Sequence, residues 1–116
     1  MITLNSFGFR TGQLPRAQVV VDCRALPNPH RRLDLRPRTG LDAEVQAYVF
    51  STASAAEMLV QLRSGVLGGS IMDGSVIAFG CHGGRHRSVA MAERFRLLLV
   101  ADGHDVSIEH LGLRPR

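Results

Sequence analysis

The chain has 116 residues, 45% of them hydrophobic and 21% charged, which is typical of one globular domain and too short for two. Its formal net charge of +4 favours anionic partners, and it permits nucleic acid without requiring it. No apolar run approaches the length that spans a membrane, and no signal-peptide pattern is present. We therefore expect a cytoplasmic protein with no membrane partner.

The hydrophobic pattern predicts alternating strands and helices along the chain. Val19–Val21 is the β-branched centre of one strand, and the run Val76–Phe79 predicts a buried one. Asp42 can cap a short helix, and Ser54–Glu57 has the pattern of a capping box for the next. We expect an α/β fold: a single small three-layer domain, residues 1–116, with helices on a mostly parallel sheet of about four strands. The predicted strands lie near residues 2–7, 18–23, 76–81 and 105–110, and the predicted helices near 42–50, 54–64 and 87–101.

The strongest functional pattern begins at Ile77, where a buried strand leads into a glycine-bearing loop. After Ser88 the apolar residues recur at helical spacing, so the loop joins the strand to a helix. Gly83 and Gly84 can expose backbone N–H groups, and the positive end of the helix and Arg87 attract negative charge. The strand–helix junction is therefore predicted to bind an anion, with phosphate favoured. The alternative is a plain glycine turn with a buried cysteine.

The same loop has the spacing of a cysteine-dependent phosphatase. Five residues separate Cys81 from Arg87, and Ser88 follows directly. In such enzymes a thiolate lies at the floor of a phosphate cradle, and the arginine binds two phosphate oxygens. If the protein is an enzyme, Cys81 is the nucleophile, Arg87 binds the phosphoryl group, and Asp22 is the best candidate for the general acid. A cradle can bind without cleaving, so the pattern indicates phosphate binding more strongly than catalysis.

Two strand ends and one loop add further candidates. Asp22 lies at the carboxyl edge of the sheet, where α/β folds place ligands, although it can equally serve as a turn partner. His110 either reaches the site or simply ends the last strand. The segment Leu26–Leu41 contains three prolines, which exclude a regular helix, and four arginines, which make it strongly cationic. A loop of this length is usually functional, the alternative being a solvated connector.

The cysteines and histidines do not indicate a disulfide framework or a metal site. Cys23 and Cys81 each close a predicted strand, so free thiols are expected. His82 and His86 lie in the glycine loop with no nearby carboxylate or third ligand. Their imidazoles are better placed to contact phosphate than a metal ion. No metal and no cofactor are predicted.

Four motifs occur in order along nearly the whole chain: SFGFR at 6–10, DCRALPNPH at 22–30, LRPRTGLD at 35–42 and GCHGGRHRS at 80–88. Together they resemble the C-terminal domain of the RapZ family, the RNase adapter proteins also described as YvcJ-like nucleotide-binding proteins. Full-length members carry an N-terminal P-loop domain. This sequence has no Walker loop and no lysine, so we expect a stand-alone domain without the family's ATP and GTP chemistry. Whether a partner chain supplies the P-loop domain stays open.

The resemblance implies a bacterial regulator that binds a ligand rather than hydrolysing one. The implied ligand is a phosphorylated small molecule, an amino-sugar phosphate in the enterobacterial members, with small RNA and protein as further partners. Carried over residue by residue, it places the ligand between two loops. The implied contacts are Cys81, His82, Gly83, Gly84, Arg85, His86, Arg87 and Ser88 from the glycine loop, and Asn28, His30, Arg36 and Thr39 from the proline-rich loop. The family's basic Arg-His-Arg end is here residues 109–111, EHL, which weakens the inference to RNA.

Three functions therefore remain open. A binding or sensor domain for a phosphosugar or nucleotide-like molecule is favoured. One alternative is an RNA-binding domain whose arginines at residues 31–38 and 114–116 form one face, and the other is a small cysteine-dependent phosphatase. We expect a homo-oligomer, and a protein partner is compatible with each function. The identity of the ligand is not determined by the sequence.

Overall fold

A parallel sheet of four strands forms the centre of the protein, for which a computed structural model describes residues 1–114. The strands are β1 (Ile2–Gly8), β2 (Val19–Asp22), β3 (Val76–Cys81) and β4 (Val106–His110), in the spatial order β2-β3-β1-β4. Every strand pair is parallel. The predicted α/β fold, with a mostly parallel sheet of about four strands, is therefore confirmed.

Three α-helices connect the strands: α1 (Ala43–Val49), α2 (Ala53–Leu67) and α3 (Arg87–Ala101). Helix α1 begins as predicted, because the Asp42 carboxylate accepts a hydrogen bond from the Glu44 N–H at 3.0 Å. The capping box predicted at Ser54–Glu57 is wrong. Helix α2 starts one residue after Thr52, whose side chain makes no cap hydrogen bond and instead lies 3.0 Å from the Ser54 hydroxyl.

The helices cover one face of the sheet. Strand alternation directs Ile2 and Leu4 of β1, and Ile77 and Phe79 of β3, into one buried cluster with Phe95 of α3. The crossovers from β2 to β3 and from β3 to β4 run in the same direction across the sheet, so right-handed connections place their helices on the same side. Burial of each apolar side chain in this cluster contributes roughly 1.5–3 kcal/mol to the free energy of folding. Among residues 1–114, none of the helices combines the length and apolarity needed to cross a bilayer.

The opposite face is covered near its carboxyl edge by the turn that follows β1. Phe9 begins the 3₁₀ turn Phe9–Thr11, and its ring meets that of Phe7 edge-on, with centroids 4.9 Å apart. Gly80 of β3 lies against both rings, because a Cβ there would come within 2.5 Å of each. The connection from β1 to β2 thus supplies the layer on this side.

The chain leaves the neighbouring strands β1 and β3 in opposite directions. From β1 it passes β3 to reach β2, and from β3 it passes β1 to reach β4. In register, Gly8 at the end of β1 lies beside Cys81 at the end of β3. Parallel α/β sheets bind ligands in the crevice that such a divergence leaves outside the carboxyl ends of the strands. The topology therefore places the glycine loop at the switch point of the sheet.

Candidate functional site

A cavity of about 400 Å³ opens at this switch point. Its wall comes from the turn after β1, the proline-rich loop after β2 and the glycine loop after β3. Nine predicted site residues line it: Asn28, His30, Arg36, Cys81, His82, Gly83, Arg85, His86 and Arg87. Arg10 also lines it and was not predicted, although it ends the first of the four motifs. The wall contains four arginines and no carboxylate, so the cavity favours an anion.

The two loop glycines have different roles. Gly84 has a φ of 73°, and a Cβ on it would lie 2.6 Å from the backbone nitrogen of Gly8. A Cβ on Gly112 would lie 2.3 Å from the carbonyl oxygen of Gly84, so three backbones meet at this point. Gly84 is therefore required by the fold rather than by the ligand. Gly83 lines the cavity, and a Cβ there would meet no atom within 4 Å, so it leaves room beside the ligand.

Helix α3 begins at the wall of the cavity without a side-chain cap. His86 is the N-cap residue, and its side chain makes no hydrogen bond to the first turn. The N-terminal N–H groups of this helix of 15 residues are therefore left for another acceptor. These groups and the positive end of the helix dipole attract an anion placed above the glycine loop.

His86 holds the proline-rich loop against the glycine loop. Its Nε2 donates hydrogen bonds to the carbonyl oxygens of Arg38 at 2.7 Å and Arg36 at 3.2 Å. The Gly40 N–H donates to the Arg85 carbonyl at 2.8 Å, a second link between the loops. Burial lowers the pKa of His86, although the two carbonyl acceptors partly oppose that effect. The resemblance placed His86 among the phosphate contacts, and the structure shows that its Nε2 is already engaged.

The free energy of unfolding is expected to decrease as the pH falls below about 6.5, the unperturbed pKa of histidine. Because the pKa of His86 is lowered in the folded state, the unfolded chain takes up the proton first and acid favours unfolding. Urea denaturation on both sides of this pH should show a smaller acid loss for His86→Gln than for the wild type. The matched control is His82→Gln, which changes an exposed histidine of the same loop. Equal acid losses in both variants would contradict this role of His86.

Arg87 joins the glycine loop to the segment after β2. Its Nη1 donates to the carbonyl oxygen of Arg24 at 2.6 Å and makes a long contact of 3.5 Å to that of Leu26. Only 7% of the residue is exposed. Among residues 1–114, its Nε and Nη2 donate to no group. That edge of the guanidinium has the geometry to bind two oxygens of one anion.

The two cysteines lie on neighbouring strand ends and are both free thiols. Cys81 lines the cavity, and its Sγ donates to the buried Ser88 hydroxyl at 3.1 Å. Burial raises the pKa of the Cys23 thiol strongly, and the nearby Cys81 raises it further. Cys23 is therefore a protonated core residue, and Cys81 is the thiol that faces the ligand space.

Asp22 does not join Cys81 in a catalytic arrangement. Successive side chains of a strand point to opposite faces, and because Cys23 packs into the core under the helices, Asp22 points away from them. Asp22 also does not line the cavity. Its carboxylate accepts hydrogen bonds from the side chain and backbone of Arg24, at 2.8–3.2 Å. These bonds hold the pKa of Asp22 below its usual value, so the carboxyl stays ionised. The prediction of Asp22 as a general acid is therefore not supported by its position or its ionisation.

Two other predicted contacts lie outside the cavity wall. The Thr39 hydroxyl accepts a hydrogen bond from the Leu41 N–H at 3.3 Å, so it shapes its own turn. The Nδ1 atom of His110 lies 2.5 Å from the Ser6 hydroxyl oxygen, and its Nε2 atom lies 2.7 Å from a carboxylate oxygen of Glu93. Burial alone would raise the pKa of Glu93, but its hydrogen bonds to His110 and a nearby arginine lower it overall. His110 thus links β4 to α3.

The arginines predicted to form one RNA-binding face are mostly engaged with neighbours. Three are ion-paired: Arg32 with Asp34, Arg38 with Asp42, and Arg114 with Glu109. Arg36 donates to the His30 carbonyl at 2.8 Å, whereas Arg31 forms no ion pair within residues 1–114. Arg116 lies outside the described residues. In the described part of the chain, no group of three or more His, Cys, Asp or Glu side chains is arranged to hold a metal ion.

The fold and site define a small parallel α/β domain with a cationic cavity at the switch point of its sheet. Residues 1–114 match the family model of the RapZ C-terminal domain, and the chain belongs to that family. The resemblance found in the four motifs is therefore confirmed.

Curated relatives cover nearly all of this chain. A nucleotide-binding protein of Nocardioides sp. is 44% identical over 118 residues, which cover 97% of this chain and 39% of the relative. One from Streptomyces griseus is 44% identical over 93% of this chain and 34% of its own length. One from Thermus thermophilus is 50% identical over 81% of this chain and 36% of its own length. The chain thus spans 34–39% of the length of these relatives.

Proposed function

We propose that this chain binds a phosphorylated small molecule, a phosphosugar or nucleotide-like compound, with its phosphoryl group in the cavity at the ends of β1 and β3. One observation carries the proposal: four arginines and an uncapped helix N-terminus converge on a cavity whose wall contains no carboxylate. The relatives are described as nucleotide-binding proteins, which supports a ligand of this class.

The phosphoryl group would be held by backbone and side-chain donors together. The N–H groups of Gly83–Arg87 and the positive end of α3 provide directed hydrogen bonds that need no reorganisation. The Nε–Nη2 edge of Arg87 binds two of the phosphoryl oxygens. Arg10 and Arg85 add positive charge at the exposed rim, where water screens them more strongly.

The remainder of the ligand would contact the proline-rich loop. The Asn28 side-chain oxygen caps the His30 N–H at 3.1 Å, which leaves the Asn28 NH₂ group available to donate. His30 and Arg36 line the same side of the cavity. A ligand bridging the two loops would favour one arrangement of the proline-rich loop, which is how a sensor could pass its state to a protein partner.

RNA is the second candidate partner. It is favoured by three exposed arginines, Arg10, Arg31 and Arg85, that form no ion pair within residues 1–114. Free surface cations of this kind support binding to a phosphate backbone. We rank RNA below the small molecule because other arginines of the predicted basic face are already ion-paired.

Titration calorimetry should detect binding of a hexose 6-phosphate with a Kd on the order of millimolar to micromolar, and no binding of the parent hexose. The bound compound, and a generic aryl phosphate, should release no phosphate. The physical reason is that no carboxylic acid is in place to protonate the leaving oxygen: Asp22 is ionised, ion-paired and outside the cavity, and the cavity wall contains no carboxyl group.

Cys81→Ser is the matched control, since it removes the thiol and keeps a small hydroxyl at the same position. It should retain hexose 6-phosphate binding. Phosphate release that disappears in Cys81→Ser while binding persists would establish the phosphatase alternative. Absence of binding by phosphosugars and nucleotides alike would overturn the proposed function.

A further inference from the structure

A second cavity of about 410 Å³ lies beside the first. Its wall combines the segment 24–28 after β2 with Arg31, Tyr48 and the start of α2. Asn28 and Arg87 line both cavities. These two residues therefore lie between the cavities, and Arg87 is the cation common to both walls.

The charge on this second wall is positive and partly uncompensated. No carboxylate lines it, and Arg31 forms no ion pair within the described residues 1–114. Arg24 contributes little, because it is ion-paired with Asp22 and its guanidinium lies 4.0 Å from the centre of the Phe9 ring. Arg87 is 7% exposed and lines this wall as well as that of the first cavity, so its charge acts on both cavities, while its Nε–Nη2 edge is assigned to the first phosphoryl group. A buried cation beside a wall without carboxylates favours an anionic group next to it.

The start of α2 adds donors to the same wall. Thr52, the N-cap residue, makes no side-chain hydrogen bond to the first turn of a helix of 15 residues. Its hydroxyl lies 3.0 Å from that of Ser54, and both residues line the cavity. The first-turn N–H groups therefore lack side-chain acceptors, and the helix dipole favours negative charge there. Helices α2 and α3 thus each present an uncapped N-terminus to a cavity that Arg87 lines.

We propose that the second cavity binds a second anionic group, so that the ligand class is a small molecule with two phosphoryl groups, one in each cavity. This inference rests on the proposed function, because it takes the first cavity as the site of the first phosphoryl group. Arg87 lies between the two groups and offsets their mutual repulsion. Arg31 lines the second cavity and not the first, so it contacts only the second phosphoryl group.

The test compares fructose 6-phosphate with fructose 1,6-bisphosphate by titration calorimetry at fixed ionic strength. The bisphosphate should bind at least about tenfold more tightly, because a second charge-assisted contact is added without a second loss of translational freedom. Arg31→Gln should remove this gain and leave the affinity for fructose 6-phosphate within about twofold. Arg16→Gln is the matched control: Arg16 is exposed and lines neither cavity, yet its loss changes the net charge equally.

Equal affinities for the two sugars would overturn the second subsite. A gain that survives in Arg31→Gln would also overturn it, since Arg31 would then contribute nothing to the second contact. A gain that is lost equally in Arg16→Gln would overturn it too, since the gain would then reflect net charge alone. Failure of both sugars to bind would contradict this inference, and it would contradict the proposed function as well if nucleotides also failed to bind. Binding of fructose 6-phosphate without any gain from the second phosphoryl group would contradict this inference alone.

Discussion

Replacing Arg87 with alanine is expected to weaken hexose 6-phosphate binding by about 2 kcal/mol or more. Arg87 supplies the Nε–Nη2 edge to the ligand, while its Nη1 donates to the Arg24 carbonyl at 2.6 Å. The substitution therefore removes a charged ligand contact and also releases the segment after β2, which lines the second cavity. Titration calorimetry measures the loss in affinity.

Arg87→Lys should not restore binding. An ammonium group is compact and lacks the planar fork with which the guanidinium can bond two ligand oxygens in parallel while its other nitrogen bonds the carbonyl. Arg16→Ala is the control, since this arginine is exposed and lies outside both cavities. A thermal melt of each variant separates lost binding from lost folding. If Arg87→Ala bound the ligand as well as Arg16→Ala does, Arg87 would not be a phosphate contact.

Alanine at the two loop glycines is expected to have opposite effects. Gly84→Ala should lower the free energy of unfolding by more than about 2 kcal/mol, because it forces a side chain into left-handed backbone and against Gly8. Gly83→Ala should change stability by less than about 1 kcal/mol, since its Cβ meets no atom within 4 Å. The methyl group should nevertheless weaken phosphate binding, because it occupies space beside the anion.

Gly12→Ala is the matched control for Gly84→Ala. Gly12 has a φ of 74°, nearly the same as Gly84, but a Cβ on it would meet no atom within 4 Å. Urea denaturation of both variants therefore separates the cost of the backbone conformation from the cost of the contact with Gly8. Equal losses at Gly12 and Gly84 would show that the packing of Gly84 contributes nothing to stability.

Local sequence was sufficient to predict the elements of this fold. The β-branched Val19–Val21 and the buried run from Val76 are strands, and the apolar spacing after Ser88 predicted α3 over the residues it occupies. The start of α2 was placed late, because the capping-box pattern at Ser54–Glu57 competed with Thr52, one of several suitable N-cap residues nearby. The end of α2 was predicted near residue 64 and lies at Leu67, and errors of one to three residues of this kind did not affect the topology.

The composition of the site was also present in the sequence, since nine predicted residues line the first cavity. The individual contacts of these residues could not be predicted from the sequence. Asp22 and Cys23 are neighbours in the chain, but the alternation of β2 places them on opposite faces of the sheet. His86 binds two carbonyl groups of a loop about fifty residues away, and Arg10 enters the wall from a third segment. None of these contacts leaves a local pattern.

By itself, the sequence determined the class of fold, the glycine loop at a strand–helix junction and the family to which the chain belongs. These depend on periodicity, turn residues and motifs, which act over a few neighbouring positions. Only the tertiary structure decided the packing of Gly84 on Gly8 and the sharing of Arg87 between two cavities. Both depend on strand order and register, which bring together residues distant in the chain. They are decided by the balance of packing and hydrogen bonding over the whole domain, rather than by the preference of any one segment.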